Sequence, residues 1–209
     1  MSGGQTSAPG LYLSGSAYIA QTIIFDGLTL QITSGTWHCL LGASGVGKST
    51  VLRLFAGLIE GIKFDGTISA SDGLPVKDRV TLMAQSDLLL PWLSARENVL
   101  LGARLRGQSI QRSEADFVLE RVGLADHRVK KPSQLSSGQR QRVALARTLI
   151  EERPIVLLDE PFSALDAKTR SQMQELAVDL LQDKTVLLVT HDPAEAARLG
   201  QSISIMSPS

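Results

Sequence analysis

The sequence is poor in cysteine and in aromatic residues, and neither sign of charge is in excess. Its single cysteine, Cys39, excludes an internal disulfide, and the apolar run around it predicts a buried thiol. The 21 basic and 21 acidic side chains cancel, so the composition gives no reason to expect a nucleic-acid partner. No apolar run reaches the roughly 18 residues that a membrane-spanning helix needs. Any role at a membrane must therefore come through another subunit.

The first ten residues are small and polar, without a basic stretch or an apolar segment. They do not read as a signal peptide, which fits a cytoplasmic protein, and we expect residues 1–10 to form a flexible tail. The whole chain of 209 residues has the length of one ordinary domain. We therefore expect a single domain over 1–209.

Strand and helix patterns alternate along most of the chain. Short apolar segments predict strands near 28–32, 37–41, 80–84, 155–158 and 185–190. Apolar stripes predict helices at about 51–58, 138–150 and 173–181. A turn-rich stretch at 61–71 around Gly66 predicts a hairpin, and Ser113–Asp116 predicts a capping box that opens a helix. Strands that are apolar on both faces and alternate with helices indicate a mainly parallel sheet, that is, an α/β fold.

A glycine-rich loop follows the strand near 37–41 and precedes a helix. Residues 42–49 fit the pattern G-x-x-x-x-G-K-S, in which backbone N–H groups surround phosphates and a helix N-terminus adds positive potential. Lys48 is expected to reach the β- and γ-phosphates, and the Ser49 hydroxyl to bind Mg²⁺. The residues predicted to contact the nucleotide here are Gly42, Ser44, Gly45, Gly47, Lys48, Ser49 and Thr50.

Two carboxylates end the buried strand near 155–158. The carboxyl ends of strands in α/β sheets are the usual place for ligands. Asp159 is therefore predicted to hold Mg²⁺, directly or through water, and Glu160 to polarise the attacking water. Either motif alone predicts only a nucleotide-binding P-loop protein.

A third motif distinguishes among the nucleotide-binding classes. The segment Leu135-Ser-Ser-Gly-Gln139 resembles the Leu-Ser-Gly-Gly-Gln signature of ABC transporter ATPase subunits, with Ser137 in place of the first glycine. A small polar segment that opens a helix can present a hydroxyl and backbone donors to a phosphate. The resemblance implies a homodimer in the ATP-bound state, in which one subunit contacts the γ-phosphate held by the other, and it matches 162–166 to the loop between subunits. The contacting residues would be Ser136, Ser137, Gly138 and Gln139.

Further matches to the family extend over nearly the whole chain. The resemblance implies that Gln85 touches Mg²⁺ or the attacking water, and that His191 donates a hydrogen bond to the γ-phosphate. It also implies an aromatic residue that stacks on adenine. Tyr18 lies at about the right distance before the phosphate loop, with Tyr12 and Phe25 as alternatives.

The resemblance also implies a fold and a set of partners. The fold is a P-loop core with a mainly parallel sheet, an N-terminal antiparallel β subdomain and a helical insertion at about 88–137. The partners are transmembrane permease subunits and a separate solute-binding protein, which would hold the chain at the inner face of the cell membrane. A soluble ABC-type ATPase not tied to transport is the alternative. A degenerate ATP-binding scaffold is disfavoured because Lys48, Glu160 and His191 are all present.

One apolar stretch after Gln85 points to the transported solute. The run Leu88–Leu93, followed by Asn98 and Val99, is similar to ATPases of nitrate, sulfonate, taurine and thiamine-precursor importers. Such a run suits an exposed socket for a helix of a membrane subunit. The alternative is that its side chains, including Trp92, pack into the helical insertion.

Overall fold

The computed structural model describes residues 8–108 and 111–207. The described chain falls into two compact units. The first unit contains the described residues up to Leu82, together with Arg153–Glu160 and the described residues from Gln182 onward. The second contains Pro161–Leu181 and the described residues of Met83–Glu152. The predicted helical insertion falls within the second unit, and the assignment of all residues to one domain stays a prediction.

The strands and helices alternate as the apolar pattern predicts. In chain order they are β1 (Leu11–Ile19), β2 (Thr22–Ile32), β3 (Trp37–Gly42), α1 (Lys48–Phe55), β4 (Ile62–Ala70), β5 (Val80–Met83), α2 (Ala95–Val99), α3 (Leu101–Leu105), α4 (Arg112–Arg121), α5 (Ser137–Leu149), β6 (Ile155–Asp159), α6 (Ala167–Leu180), β7 (Thr185–Thr190), α7 (Pro193–Leu199) and β8 (Ser202–Met206). Short 3₁₀ turns lie at Ala125–His127 and Pro132–Gln134. Within the described ranges, no helix is long and apolar enough to cross a membrane.

The strands form two sheets, as the predicted fold requires. A three-stranded antiparallel sheet has the order β2-β1-β4, and a five-stranded sheet has the order β5-β6-β7-β3-β8. In the second sheet, β3 pairs in parallel with β7 and β8, and β6 pairs in parallel with β7. Every residue of β6 and β7 is buried, which explains why their sequences are continuous apolar runs. The predicted α/β fold with an N-terminal antiparallel subdomain is confirmed.

The hairpin predicted at 61–71 is wrong. Residues Ile62–Ala70 form one strand, β4, which pairs along its length with β1. Gly66 lies opposite Gly15 in this pairing, and a Cβ on Gly66 would lie 2.2 Å from the carbonyl oxygen of Ser14. This glycine therefore permits a close approach of two strands instead of a turn.

Two expectations about element ends are corrected. Residues 8–10, expected in the flexible tail, are buried, and the Gly10 N–H donates to the Ser71 hydroxyl at 2.9 Å. The rest of that tail, residues 1–7, lies outside the described residues.

Helix α4 begins one residue before Ser113, and its capping box joins Gln111 and Glu114. Glutamine serves as the cap because the Glu114 carboxylate accepts from its backbone N–H.

Each unit has its own apolar packing. In the first unit, side chains from both sheets join those of α1, including Leu13, Phe55, Leu157 and Leu187, in one core. Cys39 lies in β3 with 0% exposure, as predicted, and burial is the main cause that raises the pKa of its thiol to about 12. In the second unit, α5 packs against α2 and α4. The phosphate-loop motif belongs to the first unit and the signature segment to the second.

Candidate active site

The glycine-rich loop runs from the end of β3 to the start of α1. Gly45 and Gly47 adopt φ of 85° and 101°, in the left-handed region that favours glycine. A Cβ on Gly47 would also lie 2.7 Å from Cγ2 of Ile24. The glycines are thus required by backbone conformation and by close packing where the chain turns from strand to helix, and loops of this kind can surround an anion with backbone N–H groups.

Lys48 is buried at the start of α1 with 5% exposure. Its ammonium donates to the carbonyl oxygens of Gly42 at 2.8 Å and Ala43 at 2.7 Å. The first turn of α1 contains no acidic residue, so no side chain of the helix itself offsets the positive end of its dipole. A fixed cation and a helix N-terminus suit a polyphosphate group.

Asp159 ends β6 and lies beside α1. It is 7% exposed and makes a side-chain hydrogen bond with Ser49. Burial is the main cause that raises the pKa of this carboxyl, and Glu160 adds to it, while the Ser49 hydrogen bond and the Lys48 charge oppose it. In the part of the chain that the structure describes, no cluster of three or more His, Cys, Asp and Glu forms a metal site. A hydroxyl and one carboxylate fit Mg²⁺, which takes its remaining ligands from phosphates and water.

Glu160 and His191 contact each other at the ends of neighbouring parallel strands. The His191 Nδ1 atom lies 3.1 Å from Oε1 of Glu160. The Glu160 backbone has a φ of 47°, uncommon for a residue other than glycine, and its N–H donates to the Val189 carbonyl at 3.0 Å. The Glu160 side chain is 12% exposed and that of His191 55%. The pair combines a candidate base with a group that orients it.

Of the three candidate adenine-stacking residues, Tyr18 lies beside the phosphate loop. It pairs with the residue that precedes Ile24, and Ile24 packs against Gly47. Tyr12 lies near the other end of β1, and Phe25 is only 3% exposed. Position therefore favours Tyr18 over Tyr12, and burial disfavours Phe25.

The signature segment caps helix α5 in the second unit. The Gln139 N–H donates to the Ser136 hydroxyl at 3.2 Å, and the Ser136 N–H donates to Oε1 of Gln139 at 2.9 Å. Ser137 is exposed and already helical, so the side chain that replaces the family's glycine is accommodated among the described residues of this subunit. Gly138 is different, because a Cβ there would lie 3.3 Å from the Ala164 carbonyl oxygen.

Two residues that sequence reasoning missed hold the loop at 162–166. Oε1 of Gln141, on α5, accepts from the Ala164 N–H at 2.9 Å. Arg170, on α6, donates to the carbonyl oxygens of Phe162 at 3.3 Å and Leu165 at 2.9 Å. Gln141 is a buried amide on a mostly apolar helix face, a signal that could have identified it.

The segment after β5 is also tied to α5. Gln85 is exposed at the end of β5, and the role expected for it stays a prediction. Two positions further on, Asp87 accepts from Nε of Arg140 at 2.9 Å, while Arg147 donates to the Asp87 and Leu88 carbonyl oxygens at 2.7 Å and 3.0 Å. No motif pointed to these two arginines.

The apolar run at 88–93 is a loop that buries Leu89 and exposes Leu88 and Trp92. Trp92 is 65% exposed and Leu88 62%, so the alternative that Trp92 packs into the helices is wrong. Asn98 is fully buried beneath the loop. Its carboxamide accepts from the Leu90 N–H at 2.8 Å and donates to the carbonyl oxygens of Leu90, Leu93 and Ser94. These buried hydrogen bonds fix the backbone of the loop, and the loop in turn holds the apolar side chain of Trp92 in solvent.

The sequence matches the family model of ABC transporters over residues 25–163, more than half of the chain. The chain belongs to the ABC transporter family. Its predicted activity follows from membership, because the ATP-binding proteins of this family are ATPases. The predicted family, fold and ATP hydrolysis are thus confirmed, and the roles of single residues stay predictions.

Relatives of this ABC ATPase cover nearly all of it. It is 51% identical over 192 residues to an uncharacterized ABC transporter ATP-binding protein of Haemophilus influenzae, covering 91% of this chain and 78% of that one. It is 47% identical over 196 residues to the aliphatic sulfonates import ATP-binding protein SsuB of Yersinia pestis, covering 92% and 70%. The dimeric structure of MJ0796, a bacterial ABC transporter cassette, superposes with a TM-score of 0.81 at 31% identity, covering 94% of each chain.

Proposed function

We propose that this ABC ATPase drives the import of a small solute through separate permease subunits. The observation that carries the proposal is the hydrolytic set in one unit, in which Lys48, the Ser49–Asp159 pair and the Glu160–His191 pair lie at the carboxyl ends of adjacent strands. The direction of transport is supported by relatives named for aliphatic sulfonate import, which match over nine-tenths of the chain. A small sulfonate-like anion is the solute class that these relatives favour.

Mg²⁺ would be held by the Ser49 hydroxyl and the Asp159 carboxylate. Bound there with ATP, it supplies neutralisation of the phosphate charge. The burial of Asp159 supports this assignment, since the charged form of a buried carboxylate gains most from a nearby cation.

The chain's own residues divide the work of hydrolysis. The Lys48 ammonium exchanges its contacts with the loop carbonyls for the β- and γ-phosphate oxygens. Glu160 accepts a proton from the attacking water, and His191 orients Glu160 and donates to the γ-phosphate. Tyr18 stacks on adenine, while the N–H groups of the loop at 42–50 bind the phosphates.

The site is completed by a second subunit. The Ser136 hydroxyl accepts from Gln139, so its own proton can be donated to a phosphate oxygen of the partner's ATP. The N-terminal N–H groups of α5 at Ser137 and Gly138 add to this. The similarity to a cassette whose structure is dimeric supports a homodimer in the ATP-bound state.

The exposed loop at 88–93 is the proposed docking surface for the permease. Trp92 and Leu88 present apolar area that buried hydrogen bonds to Asn98 hold in place. A short permease helix would cover this area, and the chain would then lie at the inner face of the membrane. The solute-binding protein completes the importer and delivers solute to the permease.

Replacing Trp92 with alanine should uncouple the subunit without unfolding it. We expect the ATPase stimulation by co-purified permease to be lost. The free energy of unfolding should stay within about 0.5 kcal/mol, because the side chain is exposed. Denaturant titration and ATPase assays of the reconstituted complex measure both, and identifying the membrane protein that co-purifies tests the proposed function itself.

Ile205→Ala is the matched control, since Ile205 is a 74% exposed apolar residue on β8. That variant should keep the permease-stimulated rate. Normal stimulation of Trp92→Ala would refute docking at this loop. A loss of about 3–5 kcal/mol in unfolding free energy would instead assign the side chain to a core.

A further inference from the structure

His127 lies outside every motif, yet its ring contacts the signature segment. It ends the 3₁₀ turn Ala125–His127, and its Nε2 atom lies 3.1 Å from Nε2 of Gln139. Both residues belong to the second unit and are partly buried. Two nitrogen atoms at this distance form a hydrogen bond only if one of them is an acceptor.

The other end of the Gln139 carboxamide decides which nitrogen accepts. Its oxygen accepts from the Ser136 N–H at 2.9 Å, which fixes the NH₂ end toward His127. An amide nitrogen has donors and no acceptor. The His127 Nε2 atom must therefore be the acceptor, and the ring must be a neutral imidazole with its proton on Nδ1.

This arrangement uses both ends of Gln139 within its own subunit. The Gln139 backbone N–H also donates to the Ser136 hydroxyl, so three hydrogen bonds join these two residues and His127. The sequence predicted that Gln139 contacts the nucleotide. These hydrogen bonds give Gln139 the further role of orienting Ser136, whose hydroxyl is proposed above to donate to the partner's ATP.

We propose that His127 is a positioning residue for ATP hydrolysis. Its neutral ring fixes the Gln139 carboxamide, and the carboxamide fixes Ser136 at the N-terminus of α5 in the geometry that completes the ATP site of a partner subunit. The proposal rests on the proposed function, because it requires Ser136 to act on the partner's ATP. It predicts that an acceptor at the position of Nε2 is needed there, whereas a cation or donor is harmful.

Two substitutions separate an acceptor from a donor. In His127→Gln, the amide oxygen can take the place of Nε2 and accept from Gln139, whereas His127→Lys offers only donors. Both substitutions are made in a Glu160→Gln chain, in which slow hydrolysis should let the ATP-bound dimer persist. ATP-dependent dimerisation is then measured by light scattering. We expect His127→Gln to dimerise like its parent, and His127→Lys to lose roughly fivefold in affinity for each of the two ATP sites, the value of one typical hydrogen bond.

Three further measurements make the result specific. ATP binding to the monomer and the melting temperature should be the same in both variants, which a merely structural role for His127 would not give. The ¹⁵N spectrum of histidine side chains should show an unprotonated Nε2 at His127. Substituting Gln139 with leucine removes the donor to Nε2 of His127, so the ring should no longer favour the form with an unprotonated Nε2.

Each remaining outcome has one meaning. Equal dimerisation of His127→Lys and His127→Gln would overturn the proposal, and so would a protonated Nε2 at His127. If the Glu160→Gln parent itself forms no dimer with ATP, the proposed function in a dimer fails and the role of His127 fails with it. In that case the ¹⁵N spectrum still reports whether the His127–Gln139 hydrogen bond exists, so the two failures are distinguishable.

Discussion

Replacing Lys48 with alanine is expected to weaken ATP binding by about ten- to a hundredfold. The ammonium is buried and fixed between two loop carbonyls, in the position from which it reaches phosphate oxygens. Charge-assisted hydrogen bonds of this kind contribute about 1.5–3 kcal/mol, which corresponds to that loss of affinity. Titration of labelled ATP onto the wild type and the variant measures the change.

The control for this experiment is Lys168→Ala, which removes an exposed lysine from α6. It should bind ATP with unchanged affinity. The wild type and both variants should be compared by circular dichroism, because Lys48 is buried and its loss must not be mistaken for unfolding. Equal affinity of a folded Lys48→Ala variant would show that the loop at 42–49 is not the nucleotide site.

Replacing Glu160 with glutamine should lower the rate of ATP hydrolysis by about a hundredfold or more, the usual contribution of a general base. The amide keeps the shape of the side chain and the contact with His191 but cannot accept the proton of water. ATP affinity should be retained. Steady-state phosphate release gives the rate, and light scattering should detect an ATP-bound dimer that persists because hydrolysis no longer opens it.

Glu152→Gln makes the same chemical change at an exposed position three residues before the start of β6. This control should hydrolyse ATP at the wild-type rate. If Glu160→Gln retained normal turnover, another group would have to be the base, and His191 would be the first to test.

The apolar strands and the local motifs could be predicted from the sequence because each depends on neighbouring residues. The continuous apolar runs of β6 and β7 predict buried parallel strands, and the strand–loop–helix order around Gly42–Lys48 predicts the phosphate loop. The Asp159–Glu160 pair was placed correctly at a strand end for the same reason. In each case the residues concerned are close in the sequence, so their order along the chain determines which of them are neighbours in the fold.

The contacts missed from the sequence join residues that are far apart in the chain. Gly66 was read as a turn because its partner, Gly15, lies on a strand that pairs with it only in three dimensions. His127 and Gln139 meet only after a turn and a helix cap have formed. The anchoring of Asp87 by Arg140 likewise depends on how α5 packs, and surface arginines carry no signal that separates an anchor from a solvated charge.

The central claim is that the signature segment of one subunit completes the ATP site of another. Single cysteines test it, one at Ser44 in the phosphate loop and one at Ser137 in the signature segment, since both positions are exposed. The native Cys39 is fully buried and does not compete for the reagent. Each cysteine is introduced alone into a Glu160→Gln chain. The two kinds of chain are then mixed, supplied with MgATP and treated with a short thiol cross-linker.

The account predicts a covalent dimer in the mixture of Ser44→Cys and Ser137→Cys chains, with little of it when ATP is omitted. Each chain treated alone should remain largely monomeric, because in a head-to-tail pair like positions do not meet. A mixture with no cross-linked dimer in the presence of ATP, or equal cross-linking of each chain with itself, would contradict the claim.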